Sequence, residues 1–157
     1  MKAVGILLLG YAAFEIFRRV LRAEKGRLAE AEGIYLLLVR LQSDIGERGV
    51  PLFEIYQTFE NEALAANGFL SVLRKEGLAR ALALYPPAVS ADVRRELTLY
   101  AAELGGRFLE EERHSAARAV SVMAEGVRQL HAELPRKLKL KKTLFMTGTG
   151  MVLLFLL

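Results

Sequence analysis

The chain has no cysteine, four prolines and two histidines among 157 residues. Without thiols there is no disulfide, no thiolate metal ligand and no thiol nucleophile. The two histidines, His114 and His131, stand seventeen positions apart. On one helix that is about 25 Å along the axis, so a single chain cannot bring them to one metal or one proton-transfer site. No Gly-rich run ends in Lys-Ser/Thr, which leaves nucleotide binding of the P-loop kind unsupported. No stretch alternates apolar and polar residues with period two, so strands are not expected. The sequence therefore reads as non-enzymatic, with no cofactor and no metal.

What the chain does have is apolar residue, 53% of the total, against a globular share of roughly 45–50%. The excess lies at the two ends. Residues 3–17 are nearly all apolar and run into Arg18, Arg19, Arg22, Lys25 and Arg27; residues 143–157 are apolar and follow Arg136, Lys137, Lys139, Lys141 and Lys142. Cytoplasmic flanks of membrane helices collect Lys and Arg. Two such flanks facing inward predict a hairpin topology: an N-terminal membrane anchor over 1–19, a cytoplasmic helical bundle over 20–140 and a C-terminal membrane anchor over 141–157. Arg18, Arg19, Arg136, Lys137, Lys139, Lys141 and Lys142 are the expected lipid-headgroup contacts, each worth about 1 kcal/mol on an anionic surface. A nucleic-acid role for the run 136–142 is set aside because it abuts an apolar segment directly. Fifteen helical residues cover roughly 23 Å, less than a hydrocarbon core of about 30 Å, so snorkelling or local thinning must close the gap. The rival reading of the N-terminus is a signal peptide. Lys2 and the length of the apolar run suit it, but Phe14, Glu15, Ile16 and Phe17 follow Ala12-Ala13 where a small-x-small cleavage site would stand. That rival describes a secreted or periplasmic helical binding protein with one C-terminal anchor.

Between the ends, periodicity is helical. Leu28, Ala31, Ile34, Leu38, Leu41 and Ile45 recur at spacings of three and four and share one helix face. Gly46 to Pro51 make a turn. A second helix carries Leu52, Ile55, Tyr56 and Phe59 and closes at Asn67-Gly68. A third, over 69–84, buries Leu70, Leu73, Leu78 and Leu82 and ends before Pro86-Pro87. Ser90 caps a fourth, with Asp92 in its first turn and Val93, Leu97, Tyr100, Ala101 and Leu104 facing inward. After Gly105-Gly106 a long helix carries Leu109, Ala116, Val120, Met123, Val127, Leu130 and Leu134, a seam of heptad spacing whose natural partner is the helix over 28–45. Pro135 is either a kink or a fresh helix start. The fold class is all-α: a compact bundle of about five to six helices, two of them long and running into the membrane anchors.

Other features carry blander readings. Glu110, Glu111 and Glu112 point about 100° apart in turn and suit a helix N-terminus through its dipole. Glu15, three residues from Arg18, reads as an interfacial acid with a local ion pair. Gly148 and Gly150 permit close helix packing. Arg94, Arg95, Arg74, Lys75, Arg48 and Arg107 read as a solvated face.

The order of parts resembles a known family. A short N-terminal anchor leads into an amphipathic helix with Leu41 and, four residues on, Ile45; a turn then reaches Pro51-Leu52. An aliphatic helix later ends in Leu104-Gly105, followed by a long polar helix, a basic run and a C-terminal anchor. Over essentially the whole chain this looks like the stage III sporulation protein AB family of endospore-forming bacteria. Phe108 and Glu112 stand where that family usually has Asp and Gln, and Pro135 interrupts a helix that usually has no proline. The resemblance implies a non-enzymatic scaffold in a complex joining mother cell and forespore, similar to the platform protein of type II secretion and type IV pilus machines. It implies a place in the mother-cell membrane, with other membrane proteins of the complex and a cytoplasmic secretion-type ATPase as partners, no nucleic acid, and homo-oligomerisation left open. The candidate partner contacts are two turns, Arg48, Val50, Pro51 and Leu52 in one, Leu104, Gly105 and Arg107 in the other.

Overall fold

The computed structural model describes the backbone of residues 2–106 and 109–156, and the side chains of 11–45, 48–106 and 110–147. Arg107 and Phe108 lie outside the described residues, as do the side-chain surroundings of Gly148 and Gly150. The described residues form seven α-helices and no strand: α1 Lys2–Ser43, α2 Leu52–Thr58, α3 Glu62–Ala66, α4 Phe69–Glu76, α5 Leu78–Leu84, α6 Ala91–Glu103 and α7 Leu109–Leu156. A π-helical turn, Asp44–Arg48, follows α1.

Seven helices stand where about five to six were expected, because two expected helices are each divided. The first break falls at Phe59–Asn61. Phe59 and Asn61 are extended, and the Asn61 side chain accepts the Leu64 N–H at 3.1 Å to start α3. Asn competes for backbone donors in this way and so starts helices rather than continuing them. The second break is Gly77, whose φ of +85° no L side chain adopts comfortably. Pro135 behaves in the opposite sense. It sits inside α7, which runs through it without a fresh start, although proline has no N–H for the carbonyl one turn back.

The chain divides into two compact units, Met1–Gly26 with His131–Leu157 as unit 1 and Arg27–Leu130 as unit 2. Unit 2 holds the hydrophobic core. Ala31, Ile34, Leu38 and Leu41 are buried as the periodicity requires, and Leu37 joins them. Ile55, Tyr56, Phe59, Leu64, Phe69, Leu70, Leu73, Leu78, Leu82, Leu97 and Tyr100 complete one cluster. In α7 the buried line runs Glu112, Ala116, Ala119, Met123, Gly126. It keeps the heptad spacing with the small residues Ala119 and Gly126 buried, while the expected Val120, Val127 and Leu130 pack partly buried against the same core. Close approach explains the choice: a Cβ on Gly126 would stand 3.0 Å from Val89 Cγ1 and 3.3 Å from Val93 Cγ1.

In unit 1, α1 and α7 lie side by side in opposite directions. Glu24 pairs with Lys141, and Phe17 packs on Phe145 with ring centroids 5.5 Å apart. Both terminal segments are helical, but no described helix is long and apolar enough to cross a membrane. Glu15 and Arg18 interrupt the first apolar run, and Lys141 and Lys142 stand at the entry to the second.

Gly33 marks the tightest approach in unit 2. A Cβ there would meet Asn61 Oδ1 at 2.7 Å and Leu64 Cγ at 2.9 Å. Gly33→Ala is therefore expected to destabilise the protein by about 1–3 kcal/mol through overpacking, despite the better helix propensity of alanine. A urea titration reads this as a lowered midpoint; an unchanged midpoint would mean that Asn61 and Leu64 yield without strain.

Candidate docking site at two adjacent turns

The turn after α1 is organised by one buried acid. Asp44 accepts from Arg40 Nε at 2.8 Å and lies 3.6 Å from Arg48 Nη1. Its carbonyl accepts the Val50 N–H at 3.0 Å. The same Arg40 reaches Thr58 Oγ1 at 3.4 Å, tying the end of α1 to the end of α2. A carboxylate removed from water needs such donors. Arg48, Pro51 and Phe53 remain on the surface, and Phe53 is 69% exposed, an unusual position for a ring of that size. Val50 and Leu52 are half-buried against the core.

The second turn follows α6. Leu104 is half-buried against the core, and Gly105 takes φ +83°. A Cβ on Gly105 would stand 3.0 Å from Leu52 Cδ1. The two turns expected to contact a partner thus meet where Leu52 approaches Gly105; Arg48, Val50 and Pro51 belong to the first turn and Leu104 to the second. Arg107, the remaining residue of that set, falls outside the described residues.

A second buried acid sits behind this turn. Glu112, 4% exposed, accepts the Gly105 N–H at 3.4 Å through Oε2, while its Oε1 is buried without a hydrogen-bond partner. The acidic triplet of the α7 start is therefore not uniform. Glu110 and Glu111 are exposed as a solvated helix start requires, and Glu112 is a core residue. Extending the α7 seam one step of four back from Ala116 would have found it. Close by, burial pushes the Tyr56 hydroxyl up to about 12; the Glu112 carboxylate adds to the rise and a hydrogen bond from the Leu78 backbone opposes it.

Other polar residues take structural places. Arg74 donates to the Tyr56 and Phe59 carbonyls at 3.4 and 3.1 Å and so braces the end of α2. His114 is exposed in a groove of about 490 Å³ between α6 and α7, spanned by the Glu96–Arg118 ion pair at 3.0 Å. His131 is exposed in unit 1. Among the described residues no three His, Asp or Glu side chains converge to hold a metal. Of the expected headgroup contacts, Arg18, Arg19, Arg136, Lys137, Lys139 and Lys142 are exposed; Lys141 is half-buried on Glu24. Glu15 pairs with Arg18 at 3.5 Å, as their spacing suggested. No protein-family model, no curated protein and no solved structure matches the chain.

Two outcomes follow from the buried groups. Unfolded tyrosine loses its proton near pH 10 and folded Tyr56 near 12. Between these values the folded state holds the extra proton, so stability falls as pH rises, while below pH 10 the contribution is intact. The loss by pH 12 is up to about 2 kcal/mol, and Tyr56→Phe should remove that part of it, read by denaturant titrations at pH 9 and pH 11.5. Glu112→Ala should lose about 1–3 kcal/mol by stranding the Gly105 N–H and should speed hydrogen exchange at that amide. Glu112→Gln keeps an acceptor there and should be at least as stable as the natural chain.

Proposed function

We propose that the protein is a membrane-tethered, non-enzymatic scaffold that offers the paired turns of unit 2 to a partner. One observation carries the tether. Tyr11, Phe14, Ile16, Leu140, Leu144 and Met146, all in unit 1, are more than half exposed. A soluble surface rarely leaves so many large apolar side chains together, and membrane contact is one of the few environments that satisfies them. Unit 1 also carries ten Lys and Arg against three Glu, whereas unit 2 has twelve against fifteen Asp and Glu. Basic residues next to exposed apolar ones suit an anionic membrane surface.

The apolar runs are shorter than a comfortable span. The tether accordingly rests on insertion of the helix ends with Arg18, Arg19, Lys141 and Lys142 held at headgroup level. Unit 2 then lies on the cytoplasmic side, where the positive flanks place it. Its docking surface combines the exposed guanidinium of Arg48, a type enriched at interface hot spots, with the exposed ring of Phe53, aromatic residues being enriched at interfaces, and the exposed Pro51. The resemblance to the stage III sporulation protein AB family supplies the finer proposal: a secretion-type ATPase as the docked partner, within a complex of the mother-cell membrane.

Single cysteines test the topology cleanly because the natural chain has none. Leu36→Cys and Ser121→Cys, both exposed, should resist a membrane-impermeant thiol reagent in intact cells and react after lysis; labelling of intact cells would overturn the cytoplasmic placement. Arg48→Ala and Phe53→Ala should each weaken co-purification of the ATPase by about tenfold. Undiminished capture would remove the turns as the docking surface.

A further inference from the structure

The apolar flank of unit 1 contains a groove of about 440 Å³ lined by Ile16, Phe17, Val20, Leu144, Phe145 and a single polar residue, Lys141. Its volume argues against a partner helix: a cylinder about 10 Å across would fill it with roughly one turn. A stretch of flexible chain suits it better. The walls on α1 and α7 lead outward to Phe14 on one helix and Met146 on the other, both exposed, while the other end of the groove meets Lys141. An occupant therefore needs an apolar tail and an anionic head at one end.

We infer that this groove binds one anionic phospholipid of the membrane, with an acyl chain between Phe17 and Leu144 and the phosphate on Lys141. The inference rests on the membrane reading proposed above. Lys141 suits the role because an ammonium has three N–H donors and Glu24 holds only part of that capacity. Its side chain is 41% exposed, so the head can reach water while the aliphatic stem lines the groove. The excess of ten basic residues over three acidic ones in unit 1 concentrates anionic lipid around the same place. Lys137 provides the comparison, since it is exposed, pairs with Glu133 at 2.7 Å and does not line the groove.

The chain has no tryptophan, so Leu144→Trp places a unique fluorophore in the groove wall. The full chain carrying it would be reconstituted in mixed phosphatidylglycerol and phosphatidylcholine vesicles, brominated on the acyl chains of one lipid or of the other. The site predicts an enrichment of the anionic lipid around the tryptophan of about fivefold, seen as stronger quenching when that lipid carries the bromine. Lys141→Gln should cut the preference to the weaker background left by the other basic residues of unit 1, Lys141→Arg should keep it and Lys137→Gln should leave it unchanged. Equal quenching by both labelled lipids would overturn the lipid site and leave the tether standing. Flotation with the vesicles but no quenching would also overturn it, pointing to another protein or a second copy in the groove. Failure to float with either vesicle would overturn the tether and the site together.

Discussion

The buried stripe of α1, Ala31, Ile34, Leu37, Leu38 and Leu41, is at most 1% exposed, and the architecture of unit 2 depends on covering it. The intervening helices α2 to α5 are only five to eight residues long. Isolated helices need about 12–15 residues to be even marginally stable in water. These four exist because each contributes buried residues to one shared core, Ile55 and Tyr56 from α2, Leu64 from α3, Leu73 from α4 and Leu78 from α5. Val93, Leu97 and Tyr100 from α6 and Ala116, Ala119 and Met123 from α7 belong to the same core. Gly33 shows how close the fit is, with Asn61 and Leu64 lying where its side chain would be.

Around that core, polar groups set the turns. Among the described residues Asp44 and Glu112 are the two buried acids, and each holds a backbone N–H, Val50 through the Asp44 carbonyl and Gly105 through the Glu112 side chain. Beside these acids Leu52 meets Gly105, while Arg48, Pro51 and Phe53 face outward.

Unit 1 follows a different logic. Among its described side chains Tyr11, Phe14, Ile16, Leu140, Leu144 and Met146 face outward, and basic residues stand close to them on each helix. Such an arrangement is unfavourable in water and favourable at the boundary between hydrocarbon and headgroup. The two units also differ in charge, with ten Lys and Arg against three Glu in unit 1 and twelve against fifteen Asp and Glu in unit 2.

Helical periodicity determined the all-α class and the α1 stripe, and residue type marked Ser90 as the cap of α6, because these depend on residues three or four apart. Glycine and proline marked both turns as turns, since these residues announce a turn locally. Where a long apolar pattern breaks was less legible: Asn61 and Gly77 divide helices that hydrophobic spacing alone would continue. Only the tertiary structure decided that the two turns adjoin, that Glu112 is buried while Glu110 and Glu111 are not, and that Gly33 and Gly126 are contact points. Only it opened a groove beside Lys141. Those properties arise from groups far apart in the chain whose proximity is set by packing, and packing depends on side-chain volumes across neighbouring helices rather than on the pattern along any one of them.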